Sequence, residues 1–111
     1  LVYVHVEAPD ECGHRSEVLN KVRSIELIDG KILKPVYEYL AGNGEDFRIM
    51  VLPDHPTPVR LRTHTKVPVP FFIYSSDKER DGVEKFSEKT AIDTKYYIPE
   101  GHKLMGILTE K

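Results

Sequence analysis

This 111-residue chain holds a single cysteine, Cys12. An internal disulfide is therefore excluded, and the usage fits a reducing compartment. No apolar run approaches the ~20 residues that would span a bilayer, and no signal-peptide pattern is visible. A basic face is missing too: 16 Lys and Arg stand against 18 Asp and Glu, for a net charge of -2. Without a Lys/Arg stripe interleaved with aromatics, nothing in the chain could displace counterions from a phosphate backbone, so nucleic acid is not the expected partner. No internal repeat, low-complexity tract or domain boundary appears. The expectation is one small, soluble, cytoplasmic α/β domain spanning residues 1–111, able to bury roughly two-thirds of its unfolded surface. The chain also lacks an initiator methionine and a polar lead-in before its first strand-like residues, and so reads as a piece of a larger protein.

What is present is a set of metal-ligand residue types in three clusters. Asp10 and His14 lie in APDECGH, Asp54 and His55 in LPDHPTP, and His64 in RTH. Carboxylate oxygen and imidazole nitrogen are the donors of hydrolytic and phosphoryl-transfer metal centres, and five exceed what one structural zinc needs. Two ions sharing a site is the natural hypothesis. Taken one at a time, Asp10 reads equally as a turn residue or helix cap, and His14 as a surface histidine. The Asp54-His55 pair alone would pass for an Asx-type turn. Their joint occurrence carries the metal hypothesis.

Periodicity places two clusters equivalently. Leu1–Val6 is β-branched and aromatic and runs into the loop with Asp10 and His14; Phe47–Leu52 is a second such run and delivers Asp54 and His55. Between them Val18, Val22, Ile25, Ile28 or Ile32, Val36 and Leu40 recur at helical spacing, with Ser16 as N-cap and Gly42 as stop. Gly30 and Pro35 interrupt that pattern, so a kink near Pro35 or two helices in series is expected. A helical crossover favours two parallel neighbouring strands, with both ligand clusters on the edge where open α/β sheets bind ligands. Further on, Val69–Tyr74 reads as a peripheral third strand and Ser75–Gly82 as a charged loop. Val83–Phe86 and Pro99–Leu108 read as short helices.

The stretches Val4–His14, Val51–Pro58 and Leu61–Thr65 closely resemble the archaeal-type, bisphosphoglycerate-independent phosphoglycerate mutases of the alkaline phosphatase superfamily. The likeness covers nearly the whole chain, through Phe86-Ser87-Glu88 and Gly101–Met105, and falls on the last third or quarter of such an enzyme. It implies a fragment of a three-layer α/β/α sandwich with a mostly parallel sheet, lacking the N-terminal part and the cap region. By resemblance, Asp10, His14 and His64 hold one divalent ion, while Asp54 and His55 contribute to a second. Manganese is the first candidate, with zinc, cobalt or magnesium also compatible with this donor set. The family's nucleophilic serine and a further aspartate have no matching position here. The isolated chain is therefore expected to be inactive and to hold at most one tight ion. The implied reaction interconverts 3-phosphoglycerate and 2-phosphoglycerate through a phosphoserine intermediate in glycolysis and gluconeogenesis, so the expected partner is a small phosphorylated substrate. A homoserine-kinase-like phosphotransferase, a phosphatase or phosphodiesterase of the same superfamily, and a non-catalytic module remain the alternatives. The resemblance assigns no substrate-binding residue and no oligomeric state.

Other polar residues carry plainer expectations. His5 and Glu7 read as satisfied interior groups, Cys12 as a small packing residue, and His102 as exposed. Arg60 and Arg62 flank His64 and have the fork geometry to grip an anion, but no such role is assigned to them.

Overall fold

The structure, a computed structural model, describes residues 1–63, 67–78 and 82–109. Two compact units divide the chain: Leu1–Gly44 with His55–Val67, and Glu45–Asp54 with Pro68–Lys111.

The first unit is helical. Helix α1, Ala8–His14, starts with Pro9 in its first turn, where a missing N–H costs nothing, and carries Asp10 and Glu11 there as well. It stops in a Schellman motif: Glu17 N–H reaches Cys12 O at 2.8 Å and Ser16 N–H reaches Gly13 O at 3.2 Å. Ser16 takes the left-handed position at φ 55°, so it ends one helix rather than capping the next. Helix α2, Val18–Ile28, packs against α1. It runs through a π-helical stretch, Asp29–Leu33, into α3, Lys34–Gly42, with Pro35 in the first turn of α3. The widened π turn sits where the Pro35 ring would meet the preceding carbonyls, and so bears out the interruption expected at Gly30 and Pro35. Gly42 closes α3, and Gly44 turns the chain at φ 76°, in the left-handed region that glycine enters at least cost.

The second unit is built on a two-stranded antiparallel sheet. Strand β1, Arg48–Val51, pairs with β2, Phe72–Ser75, in the register Arg48 to Ser75 and Val51 to Phe72. The ladder is prolonged by Ser76 N–H to Phe47 O at 3.0 Å and Phe47 N–H to Ser76 Oγ at 2.9 Å. Phe47 lies diagonal to Tyr74, with ring centroids 5.7 Å apart. Phe72 meets Phe86 edge to face at 5.2 Å, and Phe71 meets Tyr96 at 5.8 Å. Helix α4, Glu88–Asp93, opens with a reciprocal capping box between Ser87 and Thr90. A 3₁₀ turn, Gly101–Lys103, leads into α5, Leu104–Thr109. The Arg48 guanidinium donates to the carbonyls of Ile107 and Leu108 at 3.2 and 3.3 Å, satisfying acceptors that a helix end leaves open.

The mixture of helix and strand is the α/β content expected, while the arrangement differs. Leu1–Val6 forms no strand, and Leu1 is 88% exposed. A strand needs neighbours for its N–H and C=O groups, and no described segment offers them to this run. The second expected strand forms, but its partner is β2 and antiparallel rather than Leu1–Val6 and parallel. The third begins only at Phe72, which leaves Pro68 and Pro70 outside the ladder. Val83–Phe86 is irregular, and the helix starts after it at Glu88, where Ser87 supplies the cap. Among the described residues no apolar side chain is buried, and the stripe Val18, Val22 and Ile25 on α2 is at least half exposed. None of the described helices is long and apolar enough to cross a membrane.

Candidate metal centre

The i, i+4 spacing of Asp10 and His14 puts both side chains on one face of α1. Asp10 Oδ2 and His14 Nε2 stand 3.3 Å apart, with the side chains 35% and 40% exposed. On its other side the His14 ring is tied down, with Nδ1 at 2.8 Å from the carbonyl oxygen of Arg62. A carbonyl only accepts, so Nδ1 carries a hydrogen, and Nε2 is the ring atom that faces the carboxylate. Either a proton on Nε2 or a metal ion would join these two groups. The separation also suits coordination, because two atoms each about 2.1 Å from one tetrahedral ion lie about 3.4 Å apart. The pair thus fits a divalent ion in donor type and in spacing.

The face is held against the 55–62 segment by Thr57, which is 5% exposed. Its Oγ1 donates to Asp10 Oδ1 at 2.5 Å and lies 3.2 Å from His55 Nδ1. Its carbonyl accepts from Lys21 Nζ of α2 at 2.6 Å. Approach this close requires Gly13: a Cβ there would stand 2.4 Å from Thr57 O and 2.8 Å from Thr57 Cγ2. Ser16 adds a second tie, donating from Oγ to Val59 O at 2.5 Å and accepting from Arg62 Nε at 2.8 Å. Like Ser16, Arg62 is left-handed, at φ 54°. Its backbone follows a turn in which both Leu61 and Arg62 N–H reach Pro58 O at 3.0 Å.

Three of the five expected ligands, Asp10, His14 and His55, therefore gather in the first unit around Thr57. Asp54, exposed at the end of the segment carrying β1, belongs to the second unit. His64 lies outside the described residues. Among the described residues, no group of three or more His, Cys, Asp and Glu is placed to hold one metal ion. The Thr57 hydroxyl stands between Asp10 and His55 and contacts both.

Several contributors were not visible as such in the sequence. Thr57 is an unremarked residue between two prolines, Gly13 is an ordinary glycine inside a helix, and Lys21 sits in a helix with nothing to mark it. The close-approach glycine and the proline-locked threonine were the available signals. Arg62, flagged for its guanidinium, acts through its carbonyl on His14 and turns its side chain to Ser16. His5 and Glu7 are not interior: both are exposed and stand 4.0 Å apart. Cys12 is half-buried, consistent with packing. His102 is exposed beside Glu100, as expected.

Residues 1–110 match the family model described as "Metalloenzyme superfamily". The chain is 46% identical over 109 residues to the 2,3-bisphosphoglycerate-independent phosphoglycerate mutase of Methanosarcina mazei, covering 97% of this chain and 28% of that protein. It is 44% identical over 108 residues to the enzyme of the same name from Methanothrix thermoacetophila, with the same two coverages. A probable 2,3-bisphosphoglycerate-independent phosphoglycerate mutase of Geobacter sulfurreducens is 39% identical over 111 residues, 99% of this chain and 28% of that protein. The chain thus spans little more than a quarter of the length of these curated relatives. No solved structure matches.

Proposed function

The chain belongs to the Metalloenzyme superfamily, and from that premise we propose that it supplies the metal-binding C-terminal part of a 2,3-bisphosphoglycerate-independent phosphoglycerate mutase. In this reading Asp10, His14 and His64 serve one divalent ion, and Asp54 and His55 serve a second. The observation that carries it is the Asp10–His14 pair, set 3.3 Å apart with the imidazole oriented through its Nδ1 by the Arg62 carbonyl so that Nε2 faces the carboxylate. The names and identities of the relatives support the choice of reaction, interconversion of 3-phosphoglycerate and 2-phosphoglycerate. The proposed setting is glycolysis and gluconeogenesis in the cytoplasm, with manganese as the first metal to test.

Bound divalent ions would lower the pKa of a hydroxyl nucleophile and offset charge on the transferring phosphoryl oxygens. The residues of this chain do the holding. Asp10 contributes a carboxylate whose other oxygen is already occupied by the Thr57 hydroxyl, so its orientation is set before any ion arrives. His14 is kept from rotating by its bond to Arg62. The nucleophile is assigned to no residue of this chain.

We also propose that the chain is one part of a single three-layer α/β/α domain with a mostly parallel sheet. The β-branched run Leu1–Val4 and the apolar stripe of α2 are exposed, and the relatives have further length that could pair with and cover them.

The test is a coupled mutase assay on the intact protein with 3-phosphoglycerate and manganese, beside the His14→Ala variant. The expected result is metal-dependent formation of 2-phosphoglycerate, reduced by His14→Ala to background. Failure of the unmutated protein to turn over, despite bound metal, would move the assignment to another phosphate ester.

A further inference from the structure

The Thr57 hydroxyl has one hydrogen, and the geometry determines where it goes. At 2.5 Å from Asp10 Oδ1 it is donated to a carboxylate, in the short range of charge-assisted O–H···O bonds. Toward His55 Nδ1, 3.2 Å away, the same oxygen can then act only as an acceptor, so the ring nitrogen must carry a hydrogen. The second neighbour of that nitrogen makes the same demand independently: Pro56 O, 3.4 Å away, is a carbonyl and accepts. Both contacts put a hydrogen on Nδ1, so Nε2 is the ring atom left to face an ion. His14 carries its Nδ1 hydrogen by a separate route, through the Arg62 carbonyl. The two histidines of this unit are thus set alike by two different oxygens.

We infer that Thr57 is a positioning residue that joins the two halves of the proposed ligand set: its hydroxyl proton is committed to Asp10, and its lone pair holds His55 in the Nδ1–H form. This rests on the assignment of Asp10 and His55 as ligands of different ions. One hydroxyl then orients a ligand of each. It is itself immobilised, because the Thr57 carbonyl is bound by Lys21 and its backbone is pressed against Gly13. Removing the hydroxyl takes one donor from the Asp10 carboxylate and leaves the His55 Nδ1 with the longer Pro56 contact, a change made outside the coordination sphere but felt inside it.

The experiment is a manganese titration of the intact protein, followed by the electron paramagnetic resonance signal of free Mn²⁺, on the unmutated protein, Thr57→Val and Thr57→Ser. Valine keeps the branched shape and removes the hydroxyl; serine keeps the hydroxyl and removes the methyl. Thr57→Val is expected to weaken binding about 10- to 100-fold, with Thr57→Ser close to the unmutated protein. Unchanged affinity in Thr57→Val would overturn the assignment. So would a Thr57→Ser variant as weak as Thr57→Val, since the methyl packing and not the hydroxyl would then be responsible. Where Thr57→Val does not fold, ¹⁵N NMR of the histidines in the metal-free unmutated protein decides: hydrogen on His55 Nδ1 supports the inference, and hydrogen on Nε2 overturns it. An unmutated protein that binds no manganese would instead remove the metal function proposed above, a failure separate from loss confined to the variants.

Discussion

The two units are held together by different kinds of force. In the first, the contacts between segments distant in sequence are polar and converge on a few atoms: Thr57 with Asp10, His55 and Lys21, Ser16 with Val59 and Arg62, and Arg62 with His14. In the second, distant segments meet through the β1–β2 ladder and pairs of aromatic rings, with Arg48 closing the end of α5. Ring contacts are broad and tolerate small shifts, whereas hydrogen bonds lose most of their strength when their geometry slips. A unit stitched by directional bonds fixes the orientation of side chains. A unit stitched by rings fixes only that two segments stay together. The proposed ligands that the structure gathers lie in the directional unit.

The sharpest way to break this contrast is Gly13→Ala. Alanine is the better helix former by about 1 kcal/mol, so the substitution would stabilise α1 if packing were indifferent. Its Cβ would instead stand 2.4 Å from the Thr57 carbonyl oxygen, a backbone atom that cannot move aside alone. Overpacking of this kind costs about 1–3 kcal/mol, and separating α1 from the 55–62 segment also pulls Asp10 off the Thr57 hydroxyl. The expected outcome is a lower thermal midpoint together with at least tenfold weaker manganese binding. A variant as stable as the unmutated protein, with full affinity, would show that the close approach does not shape the site.

Phe72→Ala probes the other side. The ring meets Phe86 edge to face and lies on β2, opposite Val51. Edge-to-face pairs add about 0.5–1.5 kcal/mol beyond area burial, and the half-buried ring gives less than the 3–5 kcal/mol of a full core phenylalanine. About 2 kcal/mol of destabilisation is expected, with manganese affinity in the folded protein unchanged. A loss of affinity comparable to that of Gly13→Ala would erase the distinction between the two units.

Parts of this organisation could be read from the residues, and the omissions have physical causes. The α2–α3 pattern and its interruption were legible because Gly30 and Pro35 act through local backbone geometry, which sequence encodes directly. The Asp10–His14 pair was legible because helical spacing alone brings i and i+4 together. Leu1–Val6 was misjudged as a strand in this chain because β-propensity states only that a segment will pair if it is offered an edge. The partner of β1 was missed for a related reason: parallel or antiparallel pairing is a property of two distant segments, and neither spells it out. Thr57 was missed because its importance comes from three groups, Asp10, His55 and Lys21, that meet only once the fold exists. Residue type and resemblance supplied the proposed ligands, but neither supplied the hydroxyl between Asp10 and His55.

The smallest expected effect on stability separates strain from positioning within the first unit. Ser16 occupies the left-handed end of the α1 Schellman motif, a place that glycine takes at lower cost. Ser16→Gly therefore relieves about 1 kcal/mol of backbone strain. It also removes the hydroxyl that bonds to Val59 O and accepts from Arg62 Nε, contacts worth about 0.5–1.5 kcal/mol each. The two bonds together outweigh the relief by about 0–2 kcal/mol, so the thermal midpoint should fall only modestly. Affinity should respond more strongly. Arg62 loses the anchor for its side chain, and the Arg62 carbonyl is what orients the His14 ring through Nδ1. Manganese binding is expected to weaken by several-fold, more than the loss of stability accounts for. Ser16→Ala keeps the strain and loses the same bonds, so it should fall below Ser16→Gly in stability yet match it in affinity. If affinity instead tracked stability across the pair, the left-handed serine would be a feature of helix termination alone, and the polar ties in this unit would hold the fold without orienting the ligand.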